Sequence, residues 1–240
     1  MRYEDSAKFW FPKIANMSLA QIRVPKTIFV DYNEDTLTES LFGKNTAEYE
    51  RLYYAVEDAI REIGYPTFIR TDLTSAKHSG RLSCIVENEN TLNNALLNTL
   101  YQAHLKSYHS KTKSSAIMVR EFIKVKHERT AFRGLPIGNE WRVFANQTEH
   151  QCYHCYWPME ALDGKMDDGK EASPFSKGWI RSDLPETAAL LAKQLGLGTW
   201  SFDFVEDVRG IWWLVDMATA GNSYHDPSCE YAKLDKPDRL

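Results

Sequence analysis

Two apolar runs near the C-terminal end of the sequence, each interrupted by one aspartate, constrain the fold more than any other feature. Residues 199–205 and 211–217 are rich in aromatic and β-branched side chains, and the polar segment 206–210 separates them. Runs of this kind around a short turn predict an antiparallel β-hairpin. Asp203 and Asp216 stand nearly symmetrically about the turn, so we expect them to lie opposite each other across the two strands.

These two aspartates are candidate ligands for a divalent cation. Burying a carboxylate in an apolar strand is costly unless the group is paired or binds a metal, and two close carboxylates repel each other. Mg²⁺ prefers oxygen ligands and leaves coordination positions for phosphate. The sequence therefore predicts a Mg²⁺ site at Asp203 and Asp216. The alternative is a pair of acids that face solvent from half-exposed strands.

Two other segments carry cations suited to phosphate. Arg70 ends an extended run, and a loop rich in small hydroxyl residues follows it and contains Lys77. Hydroxyls, exposed amides and a lysine suit a loop folded over phosphates, although an ordinary basic surface loop has a similar composition. Glu140 and Arg142 share one face of a predicted strand because they lie two residues apart. Arg142 suits bidentate binding of a phosphate or a carboxylate; an ordinary surface ion pair is the alternative.

The segment Arg120-Glu121-Phe122-Ile123 is a predicted strand with charged residues in an apolar setting. Its backbone donors and acceptors suit the edge of an adenine base. A core strand with alternating exposed charges is the alternative, and the segment alone does not separate the two.

The remaining pattern mixes helices with hairpin-connected strands. Apolar residues three and four apart predict helices, and short apolar runs predict strands. The predicted helices are 46–63, which Gly64 ends, 91–105 and 184–195; the predicted strands outside the hairpin are 27–30, 82–86, 116–123, 141–145 and 153–156. The polar, basic segment 107–115 is a predicted linker between lobes. The mixture indicates an α+β fold.

Composition limits the class of protein. A chain of 240 residues is long enough for one two-lobed domain. A net charge of −4 provides no global basic field for nucleic acid, although a local basic groove stays open. No apolar run approaches the roughly 20 residues of a spanning helix, and the start lacks the apolar core of a signal peptide. We expect a cytoplasmic protein without a membrane partner.

Four cysteines, Cys84, Cys152, Cys155 and Cys229, are expected to be reduced thiols. Cys152 and Cys155 have the spacing of a zinc knuckle, but no second pair follows at a usual distance. No structural zinc is therefore expected.

Taken in order, these segments resemble the ATP-grasp superfamily over about residues 24–222. The resemblance rests on Gly64-Tyr65-Pro66, Arg70, Lys77, Arg120-Glu121-Phe122-Ile123, Glu140-Trp141-Arg142-Val143-Phe144, Asp203 and Asp216. It implies an α+β ATP-grasp fold of two lobes with ATP bound between them and Mg²⁺ beside it. The expected divisions are a lead-in over 1–25, a first lobe over 26–115, a second lobe with the metal site over 116–225, and a tail over 226–240.

The resemblance also implies roles for individual residues. The expected catalytic residues are Arg70, Lys77 and Arg142. Arg70 stands where the family usually has a phosphate-binding lysine. The expected nucleotide-binding residues are Arg70, Lys77, Arg120, Glu121, Phe122, Ile123, Glu140 and Arg142. Asp203 and Asp216 match the two acidic Mg²⁺ ligands. The family often places an asparagine two residues after the second acid; here that position is Ala218, and Asn222 is the candidate replacement.

Two functions are compatible with this resemblance. The first is an ADP-forming ligase that activates a carboxylate as an acyl phosphate, with a small acid, peptide, protein or RNA as the unassigned acceptor. The second is an ATP-dependent assembly or chaperone-type factor that binds a protein or RNA, because the sequence also resembles a compact branch of the superfamily that includes an assembly chaperone. The family's ligases usually carry a substantial domain before the ATP-binding lobes, and only about 25 residues precede them here. Part of the acceptor-binding apparatus is therefore expected to be absent.

Overall fold

A computed structural model describes residues 3–15, 17, 22–75, 79–171, 180–196, 198–227 and 229. Lys77 lies outside the described residues. The chain divides into two compact units. The first comprises Pro25–Ile123 and Phe132–Leu135, and the second comprises the described parts of Tyr3–Val24, Lys124–Ala131 and Pro136–Leu240.

Helices and strands alternate irregularly along the described chain. The α-helices are α1 (Ala7–Ala15), α2 (Glu34–Leu41), α3 (Ala47–Ile63), α4 (Glu89–Ser110), α5 (Met159–Leu162) and α6 (Leu184–Leu195). The strands are β1 (Ile22–Arg23), β2 (Thr27–Asp31), β3 (Thr67–Thr71), β4 (Ile85–Val86), β5 (Ala116–Glu121), β6 (His127–Ala131), β7 (Leu135–Gly138), β8 (Glu140–Ala145), β9 (His150–Cys155), β10 (Trp200–Glu206) and β11 (Trp212–Thr219). None of the described helices is both long enough and apolar enough to cross a membrane.

The first unit packs two long helices on one face of an antiparallel sheet with strand order β2-β5-β3-β4. Helix α3 begins where the Thr46 side chain accepts a hydrogen bond from the Tyr49 N–H, and it ends at Gly64, whose φ of 98° favours glycine. The apolar stripes of α3 and α4 are buried against residues of the sheet. They include Val56 and Ile60 of α3 and Leu92 and Leu96 of α4. The helices form because this stripe has a surface to bury against.

Alternation along the strands places the arginines of this sheet on its other face. Ile69 of β3 and Val119 of β5 belong to the core under the helices and pair with each other. Arg70 is adjacent to Ile69, and Arg120 is adjacent to Val119, so both arginines point away from α3 and α4. Arg120 pairs with Phe68, two residues before Arg70, which makes the two arginines diagonal neighbours.

The second unit is built on a five-stranded sheet of order β1-β11-β10-β8-β9. Only β1 is parallel to its neighbour, with Ile22 opposite Trp212 of β11. Helix α6 packs against β8, β9 and β10. Val143 of β8 and Phe202 of β10 pair on a fully buried, apolar face. The side chains next to them in each strand point to the opposite face of the sheet.

The predicted α+β class is confirmed, and so are most predicted elements. The helix predicted over 46–63 is α3, the hairpin is β10–β11, and the helix over 184–195 is α6. The segment 107–115, predicted as a linker between lobes, lies within the first unit: α4 continues to Ser110, and β5, which follows, pairs in the same unit's sheet. Six elements of the described chain were not predicted: α1, α2, α5, β1, β6 and β7.

Candidate functional site

One cross-strand row on the second unit's sheet brings together three of the predicted site residues. Asp203 of β10 pairs with Asp216 of β11 on one side and with Arg142 of β8 on the other. His154 of β9 extends the row beyond Arg142. The predicted register of the two aspartates is therefore confirmed, and residues in register across a sheet share one face.

Arg142 and Asp203 form a buried bidentate ion pair. The Arg142 Nε donates to Asp203 Oδ1 at 2.7 Å, and Nη2 donates to Oδ2 at 2.8 Å. Only 11% of the Arg142 side chain and 3% of the Asp203 side chain are exposed. Burial disfavours the guanidinium charge, but the nearby carboxylates, Asp203 first and then Asp216, outweigh burial and raise the pKa of Arg142. The sequence left open whether Arg142 binds a phosphate or a carboxylate; in the structure its partner is the carboxylate of Asp203.

The remaining contacts of Arg142 fix its guanidinium further. Its Nη1 donates to the backbone oxygen of Tyr224 at 3.1 Å. The Tyr156 ring centroid lies 4.7 Å from the guanidinium carbon, close enough for a cation–π contact. Glu140 lies two residues away on the same face and is half-buried, and its backbone oxygen accepts from Tyr156 N–H. The ion pair of Arg142 is thus with Asp203 rather than an exposed pair on the strand surface.

The predicted metal ligands differ in how they fit a cation. Asp216 is half-buried, and its Oδ1 accepts from the Met217 N–H at 3.0 Å. Each carboxylate oxygen has a second lone pair, so Asp203 and Asp216 keep acceptor capacity for a hard cation. The side-chain nitrogen of Asn222 instead donates to Asp5 Oδ2 at 2.6 Å. The other Asp5 oxygen accepts from the backbone and hydroxyl of Thr219.

A short C-terminal segment, residues 223–226, crosses this face of the sheet. The His225 ring packs on Phe144 of β8 with centroids 4.8 Å apart and lies 5.5 Å from the His154 ring. The Ser223 and Ser201 hydroxyls hydrogen-bond each other. Together with the contact between Tyr224 and Arg142, these interactions fasten the segment beside the row.

Three residues that the sequence left unconnected meet at the end of this segment. Cys152 of β9 is buried, and its Sγ lies 2.8 Å from His225 Nε2. The ligand atoms of Cys152, His225 and Cys229 all lie within 4.8 Å of one another. Burial, reinforced by Cys229, raises the pKa of the Cys152 thiol to about 12. Spacing along the chain gave no signal for this cluster, because 73 residues separate Cys152 from His225.

The first unit contributes two buried arginines from neighbouring strands. Arg70 is 8% exposed and Arg120 is 4% exposed. The Arg70 Nε donates to the Thr71 oxygen at 3.1 Å, and the Arg120 Nε donates to the Thr27 hydroxyl at 3.3 Å. The helix-free face of this sheet thus carries two positive charges of fixed position.

The segment that was predicted to contact the edge of the adenine base, Arg120-Glu121-Phe122-Ile123, runs past the end of β5 at Glu121. The Glu121 N–H already donates to the Lys26 oxygen at 2.9 Å. Phe122 and Ile123 follow outside the strand and are half-buried. The Arg81 guanidinium carbon lies 5.7 Å from the Phe122 ring centroid.

Asp207, which the sequence placed in a simple hairpin connection, organises the turn between β10 and β11. Its carboxylate accepts the N–H groups of Arg209 and Ile211 and the indole N–H of Trp213. The Arg209 side chain donates to it as well. Burial opposes the charge of Asp207, but these hydrogen bonds lower its pKa to about 2. The turn is therefore held by a buried, ionised carboxylate.

Each of the two units is an antiparallel or mainly antiparallel sheet with helices. The chain has the α+β ATP-grasp fold. No protein-family model matches the sequence, and the comparison with curated proteins finds no match.

Among solved structures, C-terminally truncated Cdc123 from Schizosaccharomyces pombe matches with a TM-score of 0.57 and 14% identity over 90% of this chain and 83% of that chain. An ATP-grasp RimK domain protein from Sphaerobacter thermophilus DSM 20745 matches with a TM-score of 0.46 and 17% identity, over 90% of this chain and 58% of that chain. The ADP complex of purK, an N5-carboxyaminoimidazole ribonucleotide synthetase, matches with a TM-score of 0.47 and 12% identity, over 92% of this chain and 45% of that chain. The chain thus spans about half the length of the latter two, and these likenesses bear on the fold alone.

Proposed function

We propose that this protein binds Mg²⁺-ATP and transfers its terminal phosphoryl group to a carboxylate, as an ADP-forming ligase. The single observation that carries the proposal is the row of Arg142, Asp203 and Asp216 on one sheet face. An arginine and two carboxylates held in register provide both a phosphate-binding cation and oxygen ligands for a metal. The ATP-grasp fold gives this row its context.

In the proposal, fixed cations bind the phosphates. Arg142 is oriented by Asp203 and by the Tyr224 oxygen, so it loses little conformational entropy when it meets a phosphate. Arg70 and Arg120 supply two further charges from the first unit. Such preorganised cations stabilise the charge on the transferred phosphoryl group. Lys77, which lies outside the described residues, stays a proposed phosphate-binding residue.

The adenine base is assigned to the segment that follows β5. Because the Glu121 N–H is already bonded to Lys26, the proposal gives the reading of the base edge to the backbone of Phe122 and Ile123. Backbone donors and acceptors discriminate adenine from guanine, since the two bases present opposite groups at that edge. Glu140 is proposed to contact the nucleotide from the face it shares with Arg142.

Mg²⁺ fits Asp203 and Asp216, whose carboxylate oxygens are ligands of the preferred type. The ion supplies charge neutralisation for the phosphates when it is bound. The net charge of the two aspartates and Arg142 is −1, which favours a divalent cation less strongly than an uncompensated pair would. Asn222 is retained as a third candidate ligand through its side-chain oxygen, since its nitrogen faces Asp5.

The proposed reaction needs no nucleophile from the protein. A carboxylate oxygen of the acceptor attacks the γ-phosphorus, the bond to the β-phosphate oxygen breaks, and ADP leaves with that electron pair. An amine or other nucleophile then displaces phosphate from the acyl phosphate. The carboxylate belongs to a small acid, a peptide or a protein.

Product analysis with labelled ATP tests this function. We expect ADP and phosphate, rather than AMP, when the correct acid and amine are present in an acceptor panel. Arg142→Met should abolish turnover, whereas Arg129→Met, which removes an arginine from an exposed bidentate pair, should leave it unchanged. Release of AMP, or equal turnover by both variants, would contradict the ligase proposal.

An ATP-dependent assembly factor is the second candidate. The observation that favours it is the likeness in fold to Cdc123, with a TM-score of 0.57. In that case Mg²⁺-ATP binds with the same residues, but no acceptor stimulates ADP formation. ATP-dependent capture of one defined protein or RNA partner by the wild type, lost in Arg142→Met, separates this candidate from the ligase.

A further inference from the structure

The C-terminal segment brings a second set of metal-binding side chains to the sheet. Cys152 lies on β9, His225 lies in the segment that crosses the face of the row, and Cys229 follows that segment in the sequence. Among the described residues, these three form a group whose ligand atoms all lie within 4.8 Å of one another. All three lie in the second unit.

Their chemistry selects the metal. Two thiols and one imidazole are the donor set that zinc prefers, whereas Mg²⁺ prefers oxygen. Zinc–sulfur and zinc–nitrogen bonds of about 2.3 and 2.0 Å in a tetrahedron place the ligand atoms about 3.5 to 3.8 Å apart. The observed Cys152 Sγ to His225 Nε2 distance of 2.8 Å is less than about 1 Å shorter than this spacing, and the Cys229 Sγ lies within 4.8 Å of both atoms. Small side-chain movements therefore suffice to admit the ion.

The neighbouring groups fix the ligands and exclude other candidates. The His225 ring hydrogen-bonds the backbone of Asp226 while its Nε2 faces Cys152, an outer contact of the kind that orients metal-bound histidines. His154 is not a ligand, because one ring nitrogen contacts the Cys155 oxygen and the other accepts from the Asp226 N–H. Cys155 points to the opposite face of β9 from Cys152.

We propose that Cys152, His225 and Cys229 bind one zinc ion, with water in the fourth position. Binding releases the protons of the two thiols to solvent, because thiolates are the ligands. The ion fastens the end of the segment to β9, and the same segment places the Tyr224 oxygen on Arg142. Zinc is thus a structural clamp beside the proposed phosphate-binding arginine. The expectation of no structural zinc depended on the isolation of Cys229 in the sequence, and the structure brings Cys229 to Cys152.

Metal titration of the full chain tests the clamp. Protein stripped with a chelator should take up one equivalent of Zn²⁺, and Co²⁺ in its place should show thiolate-to-metal charge-transfer absorption and the visible bands of a tetrahedral ion. Cys152→Ser, His225→Ala and Cys229→Ser should each weaken Zn²⁺ binding by at least about a hundredfold. Cys155→Ser is the matched control on the same strand and should bind like the wild type.

X-ray absorption identifies the zinc ligands in the wild type directly. This measurement does not depend on whether the variants fold. We expect two sulfur ligands at about 2.3 Å and one imidazole nitrogen. A spectrum with oxygen and nitrogen ligands only, or Zn²⁺ affinity equally reduced in Cys155→Ser, would overturn the proposal. A disulfide between Cys152 and Cys229 in freshly purified protein that takes up no Zn²⁺ would identify a redox pair instead and would also overturn it.

Discussion

Arg142 changes the charge balance at Asp203 and Asp216. From the sequence, two carboxylates on paired strands require a cation to offset their repulsion. In the structure, a guanidinium from β8 already forms a bidentate pair with Asp203. The position of the two aspartates was predictable from the turn between them. Their charge balance was not, because the pairing of β8 with β10 joins residues 61 positions apart.

This ion pair leads to different predictions for the two aspartates. Asp203→Asn leaves a buried guanidinium without its counter-charge and should lower the free energy of unfolding by about 3 kcal/mol. Asp216 is half-buried, whereas Asp203 is buried, so Asp216→Asn should change the free energy of unfolding by less than about 1 kcal/mol. Chemical denaturation at neutral pH measures both. Asp168→Asn, in the exposed bidentate pair with Arg129, is the control and should have a much smaller effect than Asp203→Asn.

The same two variants test the metal site. Both should lose the Mg²⁺ dependence of nucleotide binding, because each removes a proposed ligand charge. A variant whose Mg²⁺ titration matches that of the wild type would remove that residue from the ligand set. Equal destabilisation by Asp203→Asn and Asp168→Asn would contradict the structural role of the buried pair.

Among the elements, the β10–β11 hairpin was the most predictable. Its apolar runs and the polar turn between them lie next to one another in the sequence. The role of Asp207 within it was not, because the indole of Trp213 and the backbone of Ile211 reach the carboxylate only after the hairpin closes. The strands β1, β6 and β7 were missed for a related reason. β1 has only two residues, and its neighbour β11 lies almost 190 residues further along the chain.

Asp207→Ala should destabilise the hairpin in a pH-dependent way. It leaves a buried indole N–H and backbone donors without an acceptor, which costs about 2 kcal/mol at neutral pH. The pKa of Asp207 is lowered to about 2 in the folded protein. Its contribution is therefore complete above the unfolded pKa of about 3.9 and is lost as the pH falls towards about 2.

Urea unfolding followed by tryptophan fluorescence, repeated from neutral to acidic pH, checks this prediction. The difference between wild type and Asp207→Ala should shrink as the pH falls below about 4. Val208→Ala at the exposed tip is the control and should show no such trend. A difference that stays constant with pH would show that the carboxylate charge does not hold the turn.

Strands β3 and β5 carry the next prediction, because their helix-free face holds Arg70 and Arg120. Replacing either arginine by Met keeps the apolar stem but removes the charge. Loss of a charge-assisted phosphate contact should weaken ATP binding by about tenfold to a hundredfold. Arg61→Met, which removes an exposed arginine of α3, is the control. Calorimetric affinities equal to those of Arg61→Met would exclude both arginines from the nucleotide site.

For the whole molecule, the ordered set of short motifs predicted the class of fold, although no single motif is specific. In the structure, Arg70 lies in β3, Glu121 is the last residue of β5, and Arg142, Asp203 and Asp216 lie in one row. The C-terminal segment was not predictable in the same way. It lacks a periodic pattern, and its position depends on contacts with β8 and β9 that form only in the folded chain.

Thermal unfolding with increasing nucleotide, with and without Mg²⁺, tests most directly the central claim that this protein binds Mg²⁺-ATP. A ligand that binds only the folded state adds about 1.4 kcal/mol of stability for each tenfold rise in concentration above its Kd. We predict such a rise in Tm with Mg²⁺-ATP, a smaller rise with Mg²⁺-GTP, and little change with Mg²⁺-ATP in Arg142→Met. An unchanged Tm of the wild type at millimolar Mg²⁺-ATP would contradict the account.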